Sequence, residues 1–185
     1  GDKECEQAAQ AYRKAISLMP EDPKGHIGSI AMIYMRYLQL LTFLPEPDEK
    51  EIMEVYQKAV KSVPEEGDFD YMVGQYFTAR KDWKRGETHI RRALKILEAN
   101  GNAGWSAILS GNIMKTYEML AICCYSNGNL KECIKLTSTL LKENPYLMST
   151  LVVMLAGFSS DQTTIKKGME GAVQVAAFLG KSFYR

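Results

Sequence analysis

The sequence predicts an all-α fold on three observations: apolar residues recur with the helical period, strand signals are nearly absent, and one proline-ended phrase is written twice. The period is plain over 6–20. There Ala8, Ala11, Tyr12, Ala15, Ile16 and Met19 form an i, i+3, i+4, i+7 stripe, and Pro20 stops it. No alternating β-branched run is bounded by hairpin dipeptides. The repeated phrase is "YRKAISLMPED" from Tyr12 and "YQKAVKSVPEE" from Tyr56, 44 residues later.

The phrase is the end of a helix, and its spacing recurs: a small or apolar residue, an aromatic four later, alanine three later, proline five later. Ala8, Tyr12, Ala15 and Pro20 fit it, as do Ile52, Tyr56, Ala59 and Pro64. Gly86, Ile90, Ala93 and Glu98 keep the spacing with weaker residues, and Cys133, Thr137, Leu140 and Pro145 recover the proline. The alanine-equivalent positions are separated by 44, 34 and 47 residues. A candidate partner helix precedes each closing helix after the first. "IGSIAMIY" supplies Ile27, Ile30, Ala31 and Tyr34; "DYMVGQYF" supplies Val73, Gly74 and Phe77; "YEMLAICC" supplies Tyr117, Leu120, Ala121 and Cys124. "SNGN" (126–129) is the turn that follows, with Gly128 suited to the left-handed conformation of a helix exit.

These residues and the 34-residue spacing resemble the tetratricopeptide repeat family over roughly residues 3–158. The resemblance implies an α-α superhelix, a solenoid of antiparallel helix pairs with a C-terminal capping helix. Its units would be the second helix of a truncated unit at 3–20, then about 24–64, 67–98 and 101–145, with final helices over 147–184. Small residues (Ala31, Gly74, Ala121, Ala8, Gly86) would let paired helices approach, and each proline would redirect the chain into the next unit. Two units depart from 34 residues. Roughly ten extra residues lie around "PEPDE" in the second unit, and about thirteen, "GNAGWSAILSGNI" (101–113), precede the fourth. The pattern opens on a closing helix, so a fragment of a longer protein is expected. The stretch 161–185 reads as the terminal helix that covers the last apolar face.

Composition bounds the function. The chain is 46% apolar and 24% charged, ordinary for a globular protein, and its net charge of +1 gives no global electrostatic reason to bind nucleic acid or an anionic membrane. The richest apolar stretch, 30–44, is broken by Arg36 and Gln39 and stopped by Pro45, so it reads as a buried helix and no membrane insertion is expected. No secretory leader is visible. Cys5, Cys123, Cys124 and Cys133 read as small buried hydrophobes in a reducing, cytoplasmic setting. No C-x-x-C pair accompanies His26 and His89, so no metal is expected.

Catalytic signatures are missing: no phosphate loop, no G-x-S-x-G, no H-E-x-x-H. No catalytic residue, cofactor or enzymatic activity is expected. His89 reads as a packing or surface histidine, and "RRALK" (91–95) as a solvated helix face. The D-x-D of "GDFDY" (67–71) reads as helix-opening chemistry, where acids meet the positive end of the dipole and cap it.

That leaves binding. The resemblance implies a concave groove lined by the first helix of each unit, carried here by Gly25, Gly28, Met32 and Met35, then Asp68, Tyr71, Gln75 and Thr78, then Lys115, Glu118, Ile122 and Tyr125. The expected function is a non-catalytic scaffold for a protein or peptide ligand. The cluster of Lys, Arg and Asn that clamps a terminal carboxylate in chaperone-binding members is not matched. A looser similarity of 117–146 to the helical repeats after the catalytic domain of bacterial family-2 glycosyltransferases implies an alternative. The chain would then be an accessory domain that positions an acceptor or mediates homodimerisation.

Overall fold

The computed structural model describes residues 2–20, 25–99, 113–129, 131–133 and 135–137. All of their regular structure is helical. In chain order the helices are α1 (Asp2–Ser17), α2 (Ile27–Phe43), α3 (Glu49–Ser62), α4 (Gly67–Ala79), α5 (Trp83–Ala99) and α6 (Ile113–Ser126), with helical residues again at 131–133 and 135–137. The insertion expected at 101–113, apart from Ile113, the Pro145 position and the final helices expected over 147–184 lie outside the described residues.

Helix boundaries follow local chemistry. Asp48 caps α3 by accepting the Lys50 N–H at 2.9 Å, and Glu66 caps α4 by accepting the Asp68 N–H at 3.3 Å. The cap of α4 is therefore Glu66 and not the D-x-D pair, whose two aspartates sit inside the first turn and are fully buried. α1 and α3 stop two or three residues before Pro20 and Pro64, because the residue ahead of proline is driven out of the helical region. The α4–α5 turn puts Lys81 at φ 63°, and the turn after α6 puts Gly128 at φ 80°. In these two turns, Asp82 and Asn129 each turn a side-chain oxygen onto a backbone N–H three residues on, that of Arg85 and that of Glu132.

Packing runs along the chain. α1 lies on α2, α2 on α3, α4 on α5 and α5 on α6; α2 also touches α4, and α4 touches α6. The α4–α5 pair is the most intimate. A Cβ placed on Gly74 would lie 2.6 Å from Ile90 Cδ1, and one on Gly86 would lie 2.6 Å from Thr78 Oγ1. Only hydrogen at these two positions allows the helices to close.

One apolar cluster joins α1 to α4 through Tyr34, Leu38, Leu41, Ile52, Phe69 and Phe77; a second joins α4, α5, α6 and the segment after it through Tyr71, Ile90, Leu120, Cys124 and Leu136. Aromatic rings bridge neighbouring helices, with Tyr12 of α1 stacked on Tyr37 of α2 at 5.4 Å between centroids and Tyr34 of α2 edge-on to Phe69 of α4 at 6.3 Å. No described helix is long and apolar enough to cross a membrane.

Candidate functional site

The resemblance implies a groove lined by α2, α4 and α6, and the helical period decides which of their side chains face outward. On α2 the outward stripe is Met32, Arg36, Gln39 and Phe43, with Phe43 73% exposed, while Met35 is fully buried with Tyr34 and Leu38. On α4 the stripe is Met72, Gln75 and Ala79; Asp68, Tyr71 and Thr78 face the packing. On α6 Lys115 is exposed, Glu118 and Tyr125 are half-buried, and Ile122 is fully buried.

Of the twelve expected groove residues, leaving aside Gly25 and Gly28, Met32, Gln75, Lys115, Glu118 and Tyr125 thus retain surface, and Met35, Asp68, Tyr71, Thr78 and Ile122 are packed away. The cause is a stripe that drifts one residue onward on α2 and α4, about 100° around a helix of 3.6 residues per turn. Arg36, Gln39, Phe43 and Ala79 take the outward places that sequence reasoning missed. Gly25 and Gly28 lie at the entrance of α2, with Gly25 at φ 91°.

The buried members have specific duties. Thr78 donates to the Gly74 carbonyl at 2.8 Å, and its hydroxyl lies 3.5 Å from the Cys123 thiol, linking α4 to α6. Tyr71 sits among α5 and α6 residues near Glu118, and its phenol is pushed up by burial, then by Glu118 and Asp68. Burial likewise raises the Glu118 carboxyl, with Lys115 opposing.

A polar cluster lies between α3, α4 and α5. Asp70, fully buried, accepts the Tyr56 hydroxyl at 2.6 Å, and its Oδ1 lies 3.0 Å from His89 Nδ1. Arg92 Nε stands 3.3 Å from Oδ2, an ion pair without hydrogen-bond geometry. The His89 ring is stacked on Phe77 and meets Tyr56 edge-on. Burial first, then Asp70, lifts the Tyr56 phenol well above its ordinary value. An acid–histidine pair of this kind orients the imidazole for general-base work when a nucleophile meets the other nitrogen. Among the described residues His89 hydrogen-bonds to Asp70 alone, and the cluster ties α3, α4 and α5 together.

Two arginines span successive closing helices. Arg13 of α1 grips Glu51 of α3 with two hydrogen bonds, 2.8 and 3.1 Å, and reaches Glu6 at 3.1 Å; Glu51 also accepts the Tyr37 hydroxyl at 2.6 Å. Arg91 of α5 grips Glu132 with two bonds of 2.8 Å and Glu87 with two more. The facing guanidinium holds the Glu51 and Glu132 carboxyls below their ordinary range. "RRALK" is therefore not a simple solvated face, since Arg91 and Arg92 both serve inter-helix ion pairs. Among the described residues, no three His, Cys, Asp or Glu side chains come together as a metal site.

Comparison of the chain with protein-family models, with curated proteins and with solved structures gives no match.

Proposed function

We propose that this chain is a non-catalytic interaction scaffold, a stack of tetratricopeptide-like helix pairs that holds a protein or peptide on the face formed by α2, α4 and α6. One observation carries this reading. α2 packs on α4, and α4 touches α6, whereas α3 meets α5 chiefly through side chains, the Tyr56 ring on His89 and Glu49 on Arg85. In a curved stack the row whose helices come closer together is the inner side, and the row bridged by longer side chains is the outer side. The accessible side chains of the inner row are adaptable and amphipathic: Met32, Phe43 and Tyr125 beside Arg36, Gln75 and Lys115. Such a mixture suits an extended or helical segment laid across several helices.

A displayed library of random peptides selected on the intact chain tests this. Selected peptides are expected to lose binding to a Phe43→Ser, Gln75→Arg double variant and to Tyr125→Ala. The helical circular dichroism of both variants should match the parent, because these positions retain solvent contact. Peptides that bind all the variants as tightly as the parent would rule out this face.

A further inference from the structure

The extra residues of the second unit do more than lengthen a loop. α2 runs for 17 residues against 13 in α4, and with the corner that follows it overhangs α1. Between them is a cavity of about 460 Å³, open to solvent on one side. That volume is within the ordinary range for ligand pockets.

Its lining is divided by chemistry. Ala9, Leu41, Leu44 and Pro45 make an apolar wall. Glu6, Glu46, Asp48 and Glu51 supply four carboxylates, against the single guanidinium of Arg13. Arg13 is committed to Glu51 and Glu6, and Glu51 to Arg13 and Tyr37, so neither is available to a newcomer. Asp48 uses one oxygen on the Lys50 N–H, and Glu46 is exposed and bonded to none of the described residues. Four carboxylates against one guanidinium leave a formal excess of three negative charges beside the apolar wall, and Glu46 and Asp48 have no ion-pair partner among the described residues.

The carboxylates are spread along the rim and do not converge; no three of the acidic or ligating side chains are close enough to share an ion. This favours a long cation with an aliphatic stem over a compact metal ion. We infer that the cavity is a docking site for a basic, amphipathic polypeptide segment. Lys or Arg stems would lie on Leu41, Leu44 and Pro45, and the charged heads of successive basic residues would reach Glu46, Asp48 and the outer oxygen of Glu6 separately. The site shares no residue with the α2–α4–α6 face, so either can fail without the other.

Cys5 lines the cavity and is the partly exposed one of the four cysteines, so its alkylation by iodoacetamide reports occupancy. The probe is an acetylated, amidated hexapeptide of alternating Leu and Lys, with the Leu–Glu hexapeptide and spermine as comparisons. The Leu–Lys peptide is expected to slow Cys5 alkylation saturably, with protection weakening as salt is raised. Glu46→Lys combined with Asp48→Asn, which retains a capping side chain, should raise the half-protecting concentration about fivefold or more. Alkylation of the variant without peptide should match the parent, which shows that the pocket is intact. Equal protection by the Leu–Glu peptide, equal protection by spermine, protection unchanged in the variant, or no protection at all would each overturn the assignment.

Discussion

Arg13 and Arg91 make the same contact in two helices 78 residues apart. Each follows the aromatic-or-apolar position of a closing helix, Tyr12 or Ile90, and each grips a glutamate that precedes the small-or-apolar position of the next, Ile52 or Cys133. At the interface between, Gln57 and Arg85 stand in these places, and Arg85 turns instead to Glu49 and Asp82 with its guanidinium 4.1 Å over the Phe77 ring.

The clamps predict an acid limb. A carboxyl held below its ordinary 4.5 means that the folded chain binds fewer protons than the unfolded one. The stabilisation is complete above that unfolded value and is lost as pH falls through the folded one. Glu51→Gln with Glu132→Gln should flatten the fall in urea midpoint below about pH 4.5. Both arginines are more than a third exposed, so a double-mutant cycle of Arg13→Ala with Glu51→Ala should give a coupling of only about 0.5–1 kcal/mol. Arg13→Lys should lose most of it, since an ammonium cannot make the paired bonds.

Gly74 and Gly86 should resist even a methyl group. A Cβ on Gly74 meets the Ile90 side chain and also the Ile90 backbone N at 3.2 Å; one on Gly86 meets a Thr78 hydroxyl already bonded to the Gly74 carbonyl. The better helix propensity of alanine, roughly 0.5–1 kcal/mol, opposes an overpacking cost of about 1–3 kcal/mol, so both Gly→Ala variants should be less stable in denaturant. Thr78→Ala should recover much of the loss in Gly86→Ala and little in Gly74→Ala.

Lys81 predicts the opposite sign. It holds φ 63° where the following turn uses Gly128, and its N–H bonds the Thr78 carbonyl at 2.9 Å, which any residue can do. Lys81→Gly should raise stability by about 0.5–1 kcal/mol, read as a higher unfolding midpoint with unchanged denaturant slope.

These cases also show what a reader of the sequence can and cannot see. The period, the prolines and the small residues Gly74 and Gly86 announce the helices and their close approach, because those are local demands on the backbone. The facing of Met35 and Thr78 is not announced. Met and Thr suit either side of a helix, and α4 is enclosed by α2, α3, α5 and α6 together. The Asp70 cluster is hidden for another reason: an acid in a first turn already has a local explanation, while Tyr56 and His89 lie 14 and 19 residues away and meet it only in the fold. The arginine clamps are legible in the sequence, because Arg13 and Glu51, like Arg91 and Glu132, hold the same offsets from the repeated positions.

Asp70 should be the costliest polar residue to remove. Asp70→Ala leaves the Tyr56 hydroxyl, the His89 ring nitrogen and the Arg92 charge without their carboxylate, at a cost of about 3 kcal/mol or more. Tyr56→Phe removes one donor from that carboxylate and should cost about 2 kcal/mol. The phenols of Tyr56 and Tyr117 are raised, the latter to about 12 chiefly by its bond to Glu98. A raised phenol stabilises fully below its unfolded value of 10.0 and loses that contribution as pH climbs through the folded one. Tyrosinate absorbance should therefore rise together with loss of helix on the alkaline side, and the two curves should separate in Tyr56→Phe.

The cysteines should divide three to one. Cys123, Cys124 and Cys133 are buried, and desolvation raises all three thiols, Cys124 to about 12 with Glu87 adding to the effect. The thiolate is the reactive form, so a buried thiol with a raised value is doubly protected. Cys5 is partly exposed and should be alkylated at the rate of a surface thiol at pH 8. Mass spectrometry should show one rapid addition, then three that appear only as fast as the α5–α6 region opens. Their rate should climb with urea in step with loss of helix, and in Gly74→Ala it should exceed that of the parent at every urea concentration. A second rapid addition in the native chain would place one of the three thiols at the surface and contradict the packing of α6 against α5.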